Sequence, residues 1–171
     1  MREVIRYAWG ASSLGRFLVA TSDTGIVAFE LGSRTIAMVA GLAARFPDAE
    51  IVADPEALRD LLIRLKELVD APSLDYDLAI DPRGSAYELQ VWALLREIPP
   101  GKTTHYGALA ARMGTRDARE VTAAIGANPI AILIPCHRVI KKDGSISGYR
   151  WGAQRKRALL ERESAVVPRL L

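Results

Sequence analysis

Cys136 is the only cysteine in a chain of 171 residues, and it stands in Pro135-Cys136-His137-Arg138 with an imidazole and a guanidinium as its next neighbours. A thiol with an ordinary pKa of about 8.5 is mostly protonated at neutral pH, so a nucleophilic cysteine needs a base or a positive charge beside it. His137 and Arg138 offer both. In an extended segment adjacent side chains point to opposite faces, which makes a direct hydrogen bond from Cys136 to His137 awkward and a bridging water the better relay. A carboxylate must then orient the imidazole, and spacing alone does not pick it out. The plain alternative is that a lone cysteine beside an apolar run is a small buried hydrophobe.

Other chemistries are excluded more easily. One cysteine forms no intramolecular disulfide, and two histidines give no Cys/His set of the kind that holds structural zinc, so neither metal nor cofactor is expected. Gly101-Lys102-Thr103 resembles the end of a phosphate-binding loop, but Arg96 stands where that loop requires its first glycine. No apolar run is long enough to span a bilayer, and Glu3 and Arg6 interrupt the first apolar stretch, unlike a secretory signal. A cytoplasmic protein that does not engage membranes is expected.

The elements that must position Cys136 come next. Segments 2–9, 16–22 and 25–31 are rich in Val, Ile, Phe and Tyr and are punctuated by Gly10, Gly15 and Asp23-Thr24-Gly25, which predicts an antiparallel meander. Ser33 caps a predicted helix with Ile36, Val39, Ala40 and Ala43 inward. Asp54-Pro55 opens another, with Leu58, Leu61, Leu62, Leu65 and Val69 on its core face. Leu74, Tyr76, Leu78 and Ile80 alternate as an extended segment. A boundary at Asp81-Pro82-Arg83-Gly84 divides the chain into residues 1–82 and 83–171. The first part carries 8 Lys+Arg against 13 Asp+Glu and the second 15 against 7, so the basic part is the one suited to a polyanion, unless the asymmetry is only solvated surface.

Beyond the boundary, Ser85-Ala-Tyr-Glu88 has capping-box spacing and predicts a helix with Leu89, Trp92 and Leu95 on one face, stopped by Pro99-Pro100-Gly101. Trp92 is expected to pack rather than stack on a base. Short helices over 104–113, closed by Gly114, and 118–127, capped by Asp117, have helix-turn-helix spacing. Ile130–Ile134 is expected to be a buried strand delivering Cys136. Val139-Ile140 and Ser145–Ser147 flank Lys141-Lys142-Asp143-Gly144 as a hairpin, a basic wing. A last helix is expected at about 153–163, with Leu159 and Leu160 inward.

Pro135-Cys136-His137-Arg138-Val139, with Asn128-Pro129 before it and Gly148-Tyr149-Arg150-Trp151-Gly152 after it, resembles the methylated-DNA:protein-cysteine methyltransferases, or O6-alkylguanine-DNA alkyltransferases. The resemblance runs from about Gly84 to Glu163, and the Gly-Tyr-Arg-Trp-Gly loop is similar to that in the C-terminal methyl-acceptor half of the bacterial adaptive-response proteins. Ile5-Arg6-Tyr7-Ala8 and Leu14-Gly15-Arg16 extend it more weakly to the N-terminal part. It implies an N-terminal ribonuclease H-like α/β domain and a C-terminal winged-helix-like domain. The implied activity is DNA repair by irreversible transfer of an alkyl group from O6 of guanine, and from O4 of thymine, to the protein itself.

The resemblance also implies roles. Cys136 is the acceptor, His137 the base acting through water, Glu163 the carboxylate that orients His137, and Asn128 the brace of the turn before Cys136. Tyr106 polarises or protonates guanine N3. Val139, Tyr149, Arg150 and Trp151 belong to the substrate pocket, with backbone donors of the Tyr149 loop toward O6. Arg119 is the finger that fills the place of a flipped nucleotide, and Arg116, Ala118, Thr122, Tyr106 and Arg138 join it on DNA. The implied partner is double-stranded DNA with alkylated bases, approached through the minor groove by a monomer without cofactor. The chain departs from the pattern at Glu120 and Thr122, where Ala or Gly is common, and at His105, where Ser is common and a phosphate contact or simple exposure is expected. The zinc-bearing regulatory half of the adaptive-response proteins is not in this sequence, so phosphotriester repair is not expected. Two rivals stand beside this reading: a non-enzymatic helix-turn-helix or damage-sensing module, and a cysteine hydrolase with multiple turnover.

Overall fold

The computed structural model describes residues 2–73 and 76–166. Strands β1 (Val4–Ser12), β2 (Gly15–Thr21) and β3 (Ile26–Leu31) form the expected antiparallel meander. A fourth strand, β4 (Glu50–Ala53), was not foreseen; it pairs parallel to β1 and gives a mixed sheet in the order β3-β2-β1-β4. Its four residues are too few for an alternating pattern to be seen. Gly10 lies inside β1 rather than ending it, because a side chain there would collide with the Phe17 ring of β2.

Helix α1 (Thr35–Arg45) covers one face of the sheet, where Leu42 and Phe46 pack with Ile5, Ala20 and Ala28. Of the four residues expected to face inward, Val39 alone does. Ile36 is 87% exposed and Ala40 and Ala43 also face outward, because the helix starts at Thr35 after Arg34 rather than from a Ser33 cap, and it is Met38, Val39 and Leu42 that turn toward the sheet. Asp54 does accept from the backbone N–H of Ala57, but it caps a turn, and α2 proper is Arg59–Asp70. Leu58, Leu65, Leu68 and Val69 are buried against the other face of the sheet; truncating one such leucine to alanine costs about 2–5 kcal/mol. Leu74 lies outside the described residues. The segment after it runs extended to Ile80, which bridges Ile26 in parallel and carries the chain along the edge of β3.

Ser85 and Glu88 form the reciprocal capping box, opening α3 (Ala86–Arg96). Trp92 and Leu95 are buried as expected, with Val91 beside them, while Leu89, the third residue expected on that face, is exposed. The Trp92 indole N–H donates to the Ala124 carbonyl at 2.8 Å, which ties α3 to the later helices and makes Trp92 a packing residue. A two-residue strand, β5 (Thr104–His105), precedes α4 (Tyr106–Arg112), and Gly114 closes that helix with φ of 77°. His105 is not simply exposed: it is half-buried, and its Nδ1 accepts from the Ala108 N–H as the cap of α4. Asp117 caps α5 (Ala118–Gly126) through the Arg119 N–H.

The expected strand at 130–134 does not form. Ile130 bridges Phe29 of β3, the chain then turns through Ala131–Ile134, and Cys136–Arg138 make a single 3-10 turn. The expected hairpin is absent as well. β6 (Val139–Ile140) pairs parallel with β5, and Ser145 keeps only a return bond to Lys141. Helix α6 runs over Ala153–Val166, past the expected end, with Leu159 buried and Leu160 partly so. The main apolar cluster is continuous from Phe17 and Leu65 to Val121 and Leu159, so both parts of the chain share a core. Among the described residues no helix is long and apolar enough to cross a membrane, and no acid, histidine and cysteine group has the makings of a metal site.

Candidate active site

The backbone ahead of Cys136 is held in a conformation it would not choose. Ile132 has φ of 68°, in the left-handed region that a β-branched residue rarely enters, at a cost on the order of 1–3 kcal/mol. The Asn128 side chain enforces it: its Oδ1 accepts from the Ile130 N–H at 2.9 Å and its Nδ2 donates to the Ile134 carbonyl at 2.8 Å. Phe29 of β3 fixes the same turn from outside by two backbone bonds, to Pro129 and Ala131. Cys136 is thereby presented at the floor of a cleft of about 350 Å³, lined also by Tyr106, Thr122, Ile125, Gly126, Ser147, Gly148, Tyr149 and Arg150. A larger cleft, about 680 Å³ between α1 and the Arg150–Arg155 loop, does not contain the sulfur.

His137 and Glu163 are fully buried, and His137 Nε2 lies 2.6 Å from Glu163 Oε1. Burial works against the Glu163 carboxylate, yet hydrogen bonds from His137 and Arg138 hold its pKa below the ordinary value. Burial also lowers the pKa of His137, against the pull of Glu163, so the imidazole is neutral. A neutral imidazole beside an ionised carboxylate donates from Nε2, which leaves the lone pair on Nδ1. That atom is buried and has no protein hydrogen-bond partner among the described residues. It is therefore a basic nitrogen free to take a proton, on the residue next in sequence to the Cys136 thiol.

Cys136 is 4% exposed, and burial pushes its thiol up to about 11, only partly opposed by the Asn128 side chain and by the charges of Lys156 and Arg150. The resting group is therefore the thiol, and a nucleophilic role for it requires a base to take the proton.

The sequence-predicted residues divide. Cys136, Tyr106, Tyr149, Arg150 and Thr122 meet at the cleft. Arg138 does not face outward for DNA: it is 6% exposed, with Nη2 on Glu163 at 2.8 Å and Nη1 on the Ile98 carbonyl at 2.6 Å. It is the cation that faces Glu163, beside the neutral His137. Val139 is fully buried in β6 and does not line the cleft. Trp151 is also off the cleft, buried behind Tyr149 with ring centroids 5.2 Å apart and edge-on. Arg150 reaches the cleft, but its guanidinium is anchored on the Asn128 carbonyl at 2.8 Å and on Glu30 of β3 at 2.7 Å, which joins the two parts of the chain. A cleft residue, Ser147, and a buried residue behind it, Lys156, were missed. Ser147 lies 2.5 Å from the Tyr106 hydroxyl, and the buried Lys156 donates to Ser147 at 3.0 Å. Lys156, Leu159 and Glu163 are spaced three and four apart on the buried face of α6, and a lysine and a glutamate on one apolar helix stripe are the signal that marks them.

A family model described as 6-O-methylguanine DNA methyltransferase, DNA binding domain, matches residues 86–165. Over 165 residues the chain is 43% identical to the bifunctional transcriptional activator/DNA repair enzyme Ada of Escherichia coli, covering 94% of this chain and 46% of that protein. Over 116 residues it is 41% identical to the methylated-DNA--protein-cysteine methyltransferase of Mycobacterium tuberculosis, covering 67% of this chain and 70% of that one. The chain belongs to the methylated-DNA–protein-cysteine methyltransferase family. It spans about half the length of the Ada proteins it matches. The crystal structure of Mycobacterium tuberculosis OGT in complex with DNA superimposes with a TM-score of 0.77 at 34% identity, covering 96% of each chain. The mixed sheet with its helices is thus the architecture of this methyltransferase family.

The remaining residues expected on DNA lie on the outer side of α5 and the turn before it. Arg116 is exposed in the turn, Ala118 is partly buried, and Thr122 is exposed with its hydroxyl donating to the Ala118 carbonyl at 2.7 Å. The Arg119 side chain is 90% exposed and its guanidinium lies on Asp117 at 2.9 Å.

Proposed function

We propose that this protein repairs DNA by moving a methyl or other alkyl group from O6 of guanine, and from O4 of thymine, onto Cys136. The observation that carries the proposal is a thiol at the floor of an open cleft beside a buried imidazole whose Nε2 is committed to Glu163. His137 Nδ1 takes the thiol proton, through a water. The sulfur attacks the alkyl carbon in line, the carbon–O6 bond breaks, and Tyr106 delivers a proton to guanine N3. The thioether has no low-barrier way back, so each molecule acts once.

The cleft admits a base only when it leaves the duplex. We therefore propose that the nucleotide is flipped, that Arg119 fills its place, and that the small-faced α5 approaches the minor groove, with Arg116, Ala118 and Thr122 alongside. In this reading residues 1–82 form a ribonuclease H-like scaffold, residues 83–171 a winged-helix-like acceptor domain, and the protein works as a monomer without a cofactor. The test is mass measurement after incubation with duplex carrying O6-methylguanine. One methyl group per chain is expected, and none in Cys136→Ala; an unchanged mass of the unsubstituted protein leaves the damage-sensing module as the reading, and continued turnover of esters or peptides after alkylation leaves the hydrolase.

A further inference from the structure

Lys156 is 1% exposed, and beyond the pull of its charge on the Cys136 thiol it has no part in the functions described so far. An ammonium taken from water must be compensated by partners, yet among the described residues no carboxylate lies within ion-pairing distance. Its hydrogen bonds go to Ser147 Oγ at 3.0 Å and to the Gly148 carbonyl at 3.4 Å. Ser147 Oγ is in turn 2.5 Å from the Tyr106 hydroxyl, and Ser147 and Tyr106 line the Cys136 cleft while Lys156 stands behind them. The three groups form a chain that begins in the interior at a cation and ends at the cleft wall.

Donor bookkeeping gives the chain a direction. An ammonium has three donors and no acceptor, so the Ser147 oxygen accepts from Lys156. A hydroxyl polarised in this way is a better donor, which favours Ser147 O–H donating to the Tyr106 oxygen. The Tyr106 O–H is then left to point into the cleft.

We propose that Lys156 and Ser147 are positioning residues that hold the Tyr106 proton toward the base and replace it as guanine departs; this rests on the function proposed above. As the bond from Cys136 sulfur to the alkyl carbon forms and the carbon–O6 bond breaks, the electron pair passes to the purine. The Tyr106 proton goes to guanine N3, the Ser147 hydroxyl proton to the Tyr106 oxygen, and an ammonium proton from Lys156 to the Ser147 oxygen. Lys156 ends neutral and His137, which received the thiol proton, ends charged, so the total charge is unchanged. Burial lowers the pKa of Lys156, which eases the last transfer.

A lysine that acted only on the sulfur would alter thiol reactivity toward every electrophile, whereas a lysine that acts through Tyr106 matters only when a purine must leave. The experiment therefore measures two rates for Ser147→Ala, Ser147→Thr and Lys156→Met: transfer from O6-methylguanine duplex, and alkylation of Cys136 by iodoacetamide, whose iodide needs no proton. Ser147→Ala should slow transfer at least about tenfold with iodoacetamide labelling within about twofold of the unsubstituted protein, Ser147→Thr should restore transfer, and Lys156→Met, which also removes a charge that lowers the Cys136 pKa, should slow transfer by more than it slows labelling. Parallel loss of both rates, or transfer unchanged in Ser147→Ala, overturns the proposal. Ser147 is in a partly exposed loop, so its variants decide the matter even if Lys156→Met does not fold. Absence of any transfer by the unsubstituted protein would instead overturn the function on which the proposal rests.

Discussion

The charged groups around Cys136 and those on the outer face of α4 and α5 are arranged in opposite ways. Inside, Glu163 takes hydrogen bonds from both His137 and Arg138, and all three are nearly or wholly shut from water. Outside, Arg119 is held only by Asp117, two residues away, with most of its surface in solvent. A buried ion pair is costly to break because each partner is left uncompensated, while an exposed pair contributes little and exchanges partners freely. The difference teaches where rearrangement is affordable. The buried His137–Glu163–Arg138 cluster on which the proposed relay rests is already formed in the protein by itself, and the groups proposed to enter the duplex can let go of the protein without disturbing it.

Removing the shared carboxylate should break this contrast most severely. Glu163→Gln leaves the Arg138 guanidinium buried without a counter-charge, for which a loss of about 3–5 kcal/mol is expected. For a chain of this size that corresponds to a fall in Tm of about 10 °C or more. The pH dependence has a definite sign. Because the Glu163 pKa is below its ordinary 4.5 in the folded protein, despite the opposing effect of burial, its stabilisation is complete above that value and is lost as pH falls through the lowered one. Denaturant unfolding followed through the acid range should therefore show a Glu163-dependent loss that the variant lacks. An equal Tm for the two proteins would mean that the buried cluster is not what holds His137 in place.

The exposed side of the comparison is tested at Arg119. Arg119→Ala should slow transfer from duplex on the order of 10- to 100-fold, because nothing then occupies the stack vacated by the flipped nucleotide. Reaction with free O6-benzylguanine, which requires no flipping, should be unaffected, and the melting curve should hardly move. Equal losses with both substrates would place Arg119 in the chemistry rather than on DNA.

The same division decides what could be read from the sequence. The antiparallel meander, the capping box at Ser85, the Asp117 cap and the leucine face of α2 were legible because each is a local rule acting over a few residues. Glu163 was assigned only through the family resemblance, since its partner His137 is 26 residues away and no spacing rule spans that gap. The segment 130–134 was misread because its apolar run has the composition of a buried strand, while Asn128 and the long-range bonds from Phe29 fold it into a strained turn. Arg138 was misread for a related reason. The resemblance placed it on DNA, and only the course of α6 reveals the buried carboxylate it meets. Ser147 and Lys156 escaped because their importance lies in a chain of three residues drawn from three separate segments.

The smallest expected effect sharpens the outer surface further. Glu120 is exposed in the first turn of α5, one residue from Arg119, where a carboxylate suits the helix N-terminus but opposes a phosphate backbone. Glu120→Gln removes the opposition and keeps the size, so affinity for undamaged duplex should rise by about two- to fivefold at low ionic strength. Because the interaction is between solvent-exposed charges, the gain should fade as salt shortens the screening length. Binding isotherms at several salt concentrations would show the two proteins converging. Transfer from free O6-benzylguanine should stay the same throughout, since Glu120 touches none of the groups around the sulfur. A gain that persists at high salt would indicate that the residue alters the shape of α5 rather than its field, and α5 would then have to be described as coupled to the interior instead of independent of it.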